Sequence, residues 1–422
     1  MARAHETGRG RFSAATIAGL AAISAAARAQ DASAPPPPPA APLTAGFDDH
    51  FFLQSADGRN RVELGALIQV HAVAFGRGSH GRDGDVFLRR FRLELSGRID
   101  DAWRFNFEPK FTEHEVELEE AWVGAELERG LLAMAGRMKE PFSLEEARSQ
   151  KHLAYVNFSI LNQFVPAEGH GLTLAGEARD NAWEWGAALY QGGEEGLNDG
   201  DEFALRAVTR PFALGAPALR RLQFGAAATV GRSDGSLAGV ELKNEARVPF
   251  ATLDPAAESD GERVRLGLEA AWWGGPVEVA AEAVRIEQQV EGPLEQERAA
   301  LQAWYVGAAW VLTGEERTVK AFRPARPYRL RGGAGGGLGA LELAGRVSRL
   351  QFGDGFSESG VLPAGSDPRR VTSFDLGLNW YLTWNARVKL HGLLTRYAEP
   401  IAIGGQATRD EKALLLQLQL HF

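Results

Sequence analysis

Apolar and polar residues alternate with a period of two along most of this chain. In the stretch from Arg61 to Ala72, Val62, Leu64, Ala66, Ile68, Val70 and Ala72 share one face, and Arg61, Glu63, Gln69 and His71 share the other. Phe91, Leu93 and Leu95 oppose Arg90, Arg92, Glu94, Ser96 and Arg98; Trp103, Phe105, Phe107 and Phe111 oppose Arg104, Asn106, Glu108 and Lys110. Val264, Leu266, Leu268, Ala270 and Trp272 oppose Arg263, Arg265 and Glu269, and Phe374, Leu376, Leu378, Trp380 and Leu382 oppose Asp375, Asn379 and Tyr381. Successive side chains of a strand point to opposite faces, so this alternation predicts strands with one apolar and one polar face. A soluble sandwich alternates in the same way. The segments here run to roughly ten to thirteen residues, beyond the usual five or six, and suit a tilted membrane strand. Their polar faces carry Arg and Glu, as a water-filled lumen permits.

The connections fall into two kinds. Short turns are predicted at Ile99–Asp101, Glu128–Gly130, Asp180–Asn181, Gly274–Pro276 and Thr383–Asn385. Long loops are predicted at Phe75–Asp85, Gly136–Gly171, Gln191–Asp201, Gly231–Glu262, Phe352–Arg370 and Glu399–Arg409. Short turns at one end and long loops at the other are the arrangement of outer-membrane barrels, with the short end periplasmic. Gly314–Gly337 departs, being long yet on the short-turn side. The strands, from 61–74 to 410–422, number about 16, an even count in the range that leaves an aqueous channel. The fold class expected is therefore all-β, a transmembrane antiparallel barrel.

The connection from Gly136 to Gly171 is the longest in the first half, far beyond the ordinary loop of about five residues. It holds Phe142, Leu144, Leu153, Tyr155, Val156, Phe158, Ile160, Leu161, Phe164 and Val165, too apolar for a solvated loop. It also carries Lys139, Glu140, Glu145, Glu146, Arg148, Lys151 and His152. Such a segment buries one side and keeps charge hydrated on the other. Taken alone it fits either a helix-containing insertion on a soluble β-protein or a loop folded into a barrel mouth. The surrounding strands select the second, an inward constriction loop with Lys139, Glu140, Arg148 and Lys151 as its charged candidates.

The N-terminus adds a compartment. Arg3, Arg9 and Arg11 precede a run of small apolar residues from Phe12 to Ala27, ending in Ala27-Arg28-Ala29. That is the pattern of a secretory signal peptide, residues 1–29, with Sec-type export and cleavage after Ala29. Residues 30–60, with prolines 35–39, read as a Pro-rich periplasmic linker, and 61–422 as the barrel. There is no cysteine, so disulfides are excluded. No other run approaches the ~18 apolar residues of a membrane helix. The last segment alternates Leu414, Leu416, Leu418, Leu420 and Phe422 with Leu415, Gln417, Gln419 and His421. An amphipathic final strand ending on an aromatic resembles the signal that outer-membrane proteins offer to the barrel-assembly machinery. These features place the chain in a bacterial outer membrane, with its lipids as partners.

Charge narrows the chemistry. The formal net charge is -9, and removing Arg3, Arg9, Arg11, Arg28 and Glu6 leaves the rest more negative still. Nucleic-acid binding needs a basic footprint and is disfavoured. In a pore, Arg and Lys favour anions, and Asp and Glu favour cations. By period, Arg90, Arg92, Arg98, Arg104, Arg206, Arg221, Arg263, Arg265, Arg346, Arg387 and Lys389 lie on polar faces. They form either a track that hands small anionic solutes inward or a set of salt bridges with Glu94, Glu108, Glu269 and Glu342 that stiffen the wall.

The stretches Phe87-Leu-Arg-Arg-Phe-Arg-Leu-Glu-Leu-Ser-Gly97, Glu120-Ala-Trp-Val-Gly124, Gly136-Arg-Met-Lys-Glu-Pro-Phe-Ser-Leu-Glu145, Trp310-Val-Leu-Thr-Gly-Glu315 and Leu341-Glu-Leu-Ala-Gly-Arg-Val-Ser348 resemble the phosphate-selective porins O and P. The resemblance runs through nearly the whole mature chain. It implies a 16-stranded trimeric outer-membrane porin, a third loop folded to the constriction, and diffusion of anions such as phosphate or polyphosphate. Two features depart from the family pattern. Lysine is scarce, and the acidic run Glu113, Glu115, Glu117, Glu119 and Glu120 lies near the expected lumen.

Enzyme readings find little support. His114 between Glu113 and Glu115, and His50 after Asp48-Asp49, lack the ligand spacing of a metal site. The run Gly332-Gly333-Ala334-Gly335-Gly336-Gly337 lacks the Lys-Ser/Thr ending of a phosphate-binding loop. No Ser/His pair near the aromatic ends suggests lipid hydrolysis. A pore needs no catalytic residue, cofactor or metal. The competing non-enzymatic readings are a general porin and a non-conducting barrel that serves as adhesin or anchor.

Overall fold

The computed structural model describes residues 42–422 apart from 77–83, 114, 179–180, 192–196, 198–199, 321, 332–335 and 404. The expected signal segment, the proline run, His114, most of the Phe75–Asp85 and Gln191–Asp201 loops and part of the glycine run lie outside the described residues.

A short hairpin, β1 (Thr44–Asp48) and β2 (His50–Gln54), comes first. Then follow β3 (Arg61–Phe75), β4 (Asp85–Ile99), β5 (Trp103–Phe111), β6 (Val116–Glu128), β7 (Leu131–Lys139), β8 (Glu168–Ala178), β9 (Trp183–Gln191), β10 (Asp201–Thr209) and β11 (Leu222–Ser233). A small separate hairpin, β12 (Glu241–Lys243) and β13 (Pro249–Thr252), precedes β14 (Glu258–Gly274), β15 (Val277–Glu291), β16 (Gln296–Val311) and β17 (Ala340–Phe352). The chain closes with β18 (Arg370–Tyr381), β19 (Ala386–Ile403) and β20 (Gln406–His421). Strands β3–β11 and β14–β20 pair antiparallel in sequence order, and β20 returns to β3, giving a closed barrel of 16 strands. Closure leaves no unpaired edge. In hydrocarbon, where an unpaired backbone group costs several kcal/mol, closure is the condition for a sheet to span at all.

The seam is built at the turn end. β20 runs beside β3 from Ala413↔Phe75 to His421↔Leu67. Phe422 N donates to Ala66 O (3.1 Å) and Ala66 N donates to Phe422 O (2.8 Å). Below that point β2 takes over, from Phe51↔Leu64 to Gln54↔Arg61, and the Phe51 and Phe422 rings meet edge to face at 5.7 Å. Residues 44–54, placed by sequence within the 30–60 linker, are thus hydrogen-bonded to the barrel. The linker reading missed Phe47, Phe51, Phe52 and Leu53, which carry strand propensity.

The apolar faces point outward, as the alternation predicts. Leu266, Leu268, Leu376, Leu414, Leu418 and Leu420 are exposed while their sequence neighbours are buried. The three-residue turn between the paired Ile99 and Trp103 holds Asp100 and Asp101 at positive φ (52° and 58°), a conformation that Asp tolerates in turns. Register shifts break the period at several places, among them one bulge on β4 and one on β6. Gln69 pairs with Arg90 but Val70 with Leu88, so Arg89 is the extra residue of β4. Glu108 pairs with Glu120 but Pro109 with Leu118, so Glu119 is the extra residue of β6. Pro109 has no N–H and sits where the ladder is already interrupted.

Three loop-end segments pack against the inner wall. Phe142, Leu144, Val156, Ile160, Leu161 and Phe164 come from residues 140–167; Leu237, Leu242, Val248, Phe250 and Leu253 come from 234–257; Phe356, Val361 and Leu362 come from the β17–β18 connection. They form one core with inward residues of β15–β20, among them Val284, Ile286, Leu301, Leu350, Leu393, Tyr397 and Leu415. On β15–β18 nearly every inward residue is buried, whereas few are on β5 and β7.

Two predicted connections differ from expectation. Glu399–Arg409 is no loop, because β19 and β20 continue as a hairpin from Ile401↔Thr408 to Ile403↔Gln406, turning at Gly405 with φ 79°. Gly231–Glu262 contains the β12–β13 hairpin and the first turns of the β14 ladder. Gly314–Gly337 does lie on the short-turn side. Its Arg317 N donates to Gly275 O (2.8 Å) and its Tyr328 N to Leu382 O (2.7 Å), both carbonyls being at or beside predicted short turns.

Candidate functional site

The 140–167 segment starts with a short helix, Leu144–Ala147, capped by Ser143, whose Oγ accepts from Glu146 N at 3.2 Å. From there the chain crosses to the far wall. Glu145 N donates to Glu282 on β15 (3.2 Å). The Glu145 carboxylate accepts from Ser159 N (3.0 Å), Ser159 Oγ (2.6 Å) and Arg346 on β17 (2.8 Å). Tyr155 Oη donates to Gly345 O (3.0 Å). Asn379 on β18 donates to Ala154 O (2.7 Å), and Lys389 on β19 donates to Leu153 O and Tyr155 O (both 2.8 Å). Gln419 on β20 donates to Lys151 O (3.1 Å). Buried charge is costly unless paired and hydrogen-bonded, and these bonds satisfy the wall's charges and the segment's backbone together. Gly307 on β16 leaves room for the Tyr155 hydroxyl where a Cβ would collide with it. The Phe142 ring packs 3.2 Å from the position a Gly267 Cβ would take.

The second segment locks onto the first. Glu245 accepts from Ile160 N (3.2 Å) and Arg346 (2.9 Å), and also from Ser348. Asn244 Oδ1 accepts from Ala246 N (2.9 Å) and Val248 N (3.1 Å), while its amide donates to Glu411 (2.6 Å).

The predicted loop charges are all engaged. Lys139 donates to Glu146 O (2.6 Å). Arg148 pairs with Glu278 (2.5 Å) and Lys151 with Glu94 (2.6 Å). Glu140 is buried with Oε2 unpartnered among the described residues. Burial and the neighbouring Glu202 carboxylate push its carboxyl from an ordinary value of 4.5 up to about 8, so it is protonated at neutral pH.

The wall track is mostly ion-paired. Arg92 meets Glu94 (2.6 Å), Glu119 (3.0 Å) and Glu108 (3.3 Å). Arg104 pairs with Glu126, and Arg206 grips Glu269 through two bonds of 2.8 Å. Arg265 and Arg263 share Glu202 (2.6 and 3.5 Å), and Arg346 serves Glu145 and Glu245. Arg98 donates to Gly58 O (2.7 Å). Arg387 lies over the Tyr381 ring at 4.7 Å. Arg221 is not on a strand's polar face; it is exposed in the turn before β11 and pairs with Glu316 (2.5 Å).

A weakly compensated charge, Arg89, lies at a position the period-two reading missed. The β4 bulge turns Arg89 and Arg90 inward together. Nε of Arg89 and Nε and Nη1 of Arg90 find no hydrogen-bond partner among the described residues, and the carboxylate recorded for Arg90, Glu119, stands 3.9 Å away. Both line a cavity of about 230 Å³ with Lys243 and Arg247 and with the carboxylates Glu241 and Glu245, floored by Leu153, Val156 and Ile160. Arg247 is set at the β12–β13 turn with φ 63°. Lys243 is matched by Glu241 (2.9 Å). Towards the turn end two larger hollows, about 470 and 570 Å³, lie along β3–β10 and share Arg104. The cavity at Arg89 and Arg90 and the two hollows at Arg104 are separate, and Arg92 is buried and lines none of them.

Comparison with known proteins accords with this geometry. A family profile described as phosphate-selective porin O and P matches residues 62–422. Among curated protein sequences none matches the chain. Solved structures with a similar fold include the outer membrane channel DcaP of Acinetobacter baumannii, with TM-score 0.56 and 10% identity over 90% of this chain and 100% of that one. A loop-deletion mutant of OmpT, an outer membrane protein of Vibrio cholerae, aligns with TM-score 0.55 and 10% identity over 86% of this chain and 100% of that one. Salmonella typhi OmpF in complex with daunomycin gives 0.53 and 11% over 90% and 100%. At these identities the likeness is one of fold.

Proposed function

The chain belongs to the phosphate-selective porin O and P family, and we propose on that footing that the diffusion path of this outer-membrane porin favours small anions such as phosphate or polyphosphate. The observation that carries the proposal is the arginine doublet at the β4 bulge. Arg89 and Arg90 face a cavity beside Arg247, with no carboxylate in contact with Arg89 or Arg247 among the described residues. A guanidinium without a counter-charge in a walled, narrow space attracts anions far more strongly than one in bulk water. The ion-paired arginines 92, 104, 206, 263, 265 and 346 contribute shape more than field. Lys139, Glu140, Arg148 and Lys151 hold the inward segment in place, and that segment narrows the lumen as a constriction.

The remaining assignments belong to the same proposal. Residues 1–29 direct Sec-type export and are cleaved, and the short-turn end faces the periplasm. Phe422 presents the final strand to the barrel-assembly machinery, and lipid covers the outer apolar band. Three copies assemble, as in the trimer form recorded for the Vibrio cholerae protein. A general porin is the second reading, favoured by the extent of ion pairing along the wall.

The test is the reversal potential of the purified barrel in a planar bilayer under a potassium chloride gradient, with phosphate added as competitor. A chloride-favouring potential with phosphate block is expected, and an Arg89→Gln/Arg90→Gln variant is expected to lose several-fold in anion preference. A neutral or cation-favouring wild type identifies a general porin. Insertion without any conductance identifies a structural barrel.

A further inference from the structure

A second cluster of uncompensated donors lies at the opposite end of the lumen. Arg387 opens β19, paired across the sheet with Tyr381 and Gln419. Its side chain is 1% exposed, and none of its three guanidinium nitrogens has a hydrogen-bond partner among the described residues. Three other nitrogens share that condition nearby: Trp384 Nε1 in the β18–β19 turn, His152 Nδ1 in the inward segment and His421 Nε2 on β20. Their three rings form a near-regular triangle. His152 and Trp384 stand 5.9 Å apart, Trp384 and His421 5.9 Å, and His152 and His421 6.2 Å. His152 and His421 are both more than nine-tenths buried.

The neighbouring carboxylates are already engaged by other cations. Arg317 sits between Glu278 (2.8 Å) and Glu342 (3.2 Å) and donates to His152 O (3.2 Å). Lys151 is paired with Glu94 (2.6 Å). Arg387 has no carboxylate in ion-pair contact among the described residues, and neither has Lys389 two residues on, whose ammonium is instead satisfied by Leu153 O and Tyr155 O (both 2.8 Å). Guanidinium and indole can only donate. Burial, with the Arg387 charge next in weight, holds the His152 imidazole well below its usual range, so it is neutral and keeps one N–H. An unpaired buried charge is among the costliest features a protein can carry. The charge, the donors and the burial all ask for the same thing, a compact anion.

We propose that Arg387, Trp384, His152 and His421 form a second anion site at the turn end of the barrel, taking a small inorganic monoanion such as chloride or dihydrogen phosphate. The Arg387 guanidinium supplies the positive charge that such an anion needs. A dianion would require a protonated imidazole, which the burial of His152 and the adjacent guanidinium oppose. The site extends the anion-favouring reading of the lumen and rests on it for its role in transport, while its occupancy is measurable without any conductance.

The experiment uses the full-chain barrel in detergent. Crystals soaked in sodium bromide are expected to show an anomalous peak within hydrogen-bond reach of both Arg387 and Trp384, and Arg387→Gln crystals are expected to lose it. In solution, replacing gluconate by chloride or phosphate at constant ionic strength should raise the melting temperature of the wild type, since a ligand bound only to the native state stabilises it. That shift should shrink in both Arg387→Gln and Trp384→Phe, and the anion giving the larger shift identifies the preferred one. The conservative Trp384→Phe keeps the test informative if Arg387→Gln does not fold. Wild-type crystals without a bromide peak at this place, or melting shifts that the variants leave unchanged, overturn the site. A bilayer result of no anion preference bears on the pore reading and leaves the occupancy result standing.

Discussion

Glu140 follows directly on β7 and is buried against the Glu202 carboxylate, with its own carboxyl pushed up to about 8. In an unfolded chain it would ionise near 4.5. The native state thus holds this proton where the unfolded state has lost it, and stability falls as pH rises from that lower value to the higher. Glu140→Gln keeps the shape without the charge. Its melting temperature should change less than the wild type's between about pH 5 and 9, with the variant gaining most at the alkaline end. An unchanged slope in a thermal scan across that range would exclude Glu140 as the cause. Arg89 shows what residue-level reading from sequence misses. Strict alternation assigns it to the lipid face beside Arg90, and only the extra residue of the bulge turns both inward. For β6 the signal was available: Pro109 inside a strand is best tolerated where the ladder is interrupted, and the bulge is there. β4 carries no comparable mark. Most of the polar-face arginines were placed correctly by period, but their partners came from strands and loops far away in sequence, which no local pattern encodes.

At the scale of elements, the alternation was enough to place all sixteen barrel strands, because lipid outside and water inside impose it on every one. The length and apolar content of the 140–167 segment mark it as one that packs rather than a solvated loop, and its Phe142, Leu144, Ile160 and Phe164 are buried in the core. Its partner, the 234–257 segment, was read as an ordinary long loop although Leu237, Leu242, Val248, Phe250 and Leu253 mark it the same way. The end of the chain misled in the other direction: Glu399–Arg409 has loop-like Pro400, Gly404 and Gly405, yet β19 and β20 run on through it with a shift of register between Arg396 and Ile401. If residues 140–167 form the proposed constriction, deleting Phe142–Pro166 should raise single-channel conductance. It should also weaken the barrel, because Arg346 would lose Glu145 and Lys389 would lose both carbonyl acceptors. Leaving one buried charge without its partner costs about 3–5 kcal/mol, so a clear drop in melting temperature should accompany the conductance rise. Unaltered conductance in bilayer recordings would place the solute path elsewhere.

For the whole molecule, the turn end of the closing seam is fixed by a few residues at the C-terminus. Phe422 makes two backbone bonds to Ala66 and meets Phe51, which belongs to the hairpin that continues the seam. Removing Phe422 should therefore lower the amount of assembled barrel in outer-membrane fractions while leaving the conductance of each assembled channel unchanged. Normal levels of the truncated protein would show that the seam closes without it.

The uneven filling of the ring carries a further consequence for how it opens. On β15–β18 each strand is held from within by packed side chains and from without by lipid, so their amides share a large cooperative unit. On β5 and β7 the inner face has water behind it, and each backbone bond there depends on its ladder alone. Segments with few buried contacts open at lower free energy than the global transition. Amide hydrogen exchange in detergent should then divide the circumference into two arcs, with β5 and β7 exchanging well before β15–β18. The labile arc borders the two hollows that share Arg104, so the stretch of wall most free to yield is the one with space behind it.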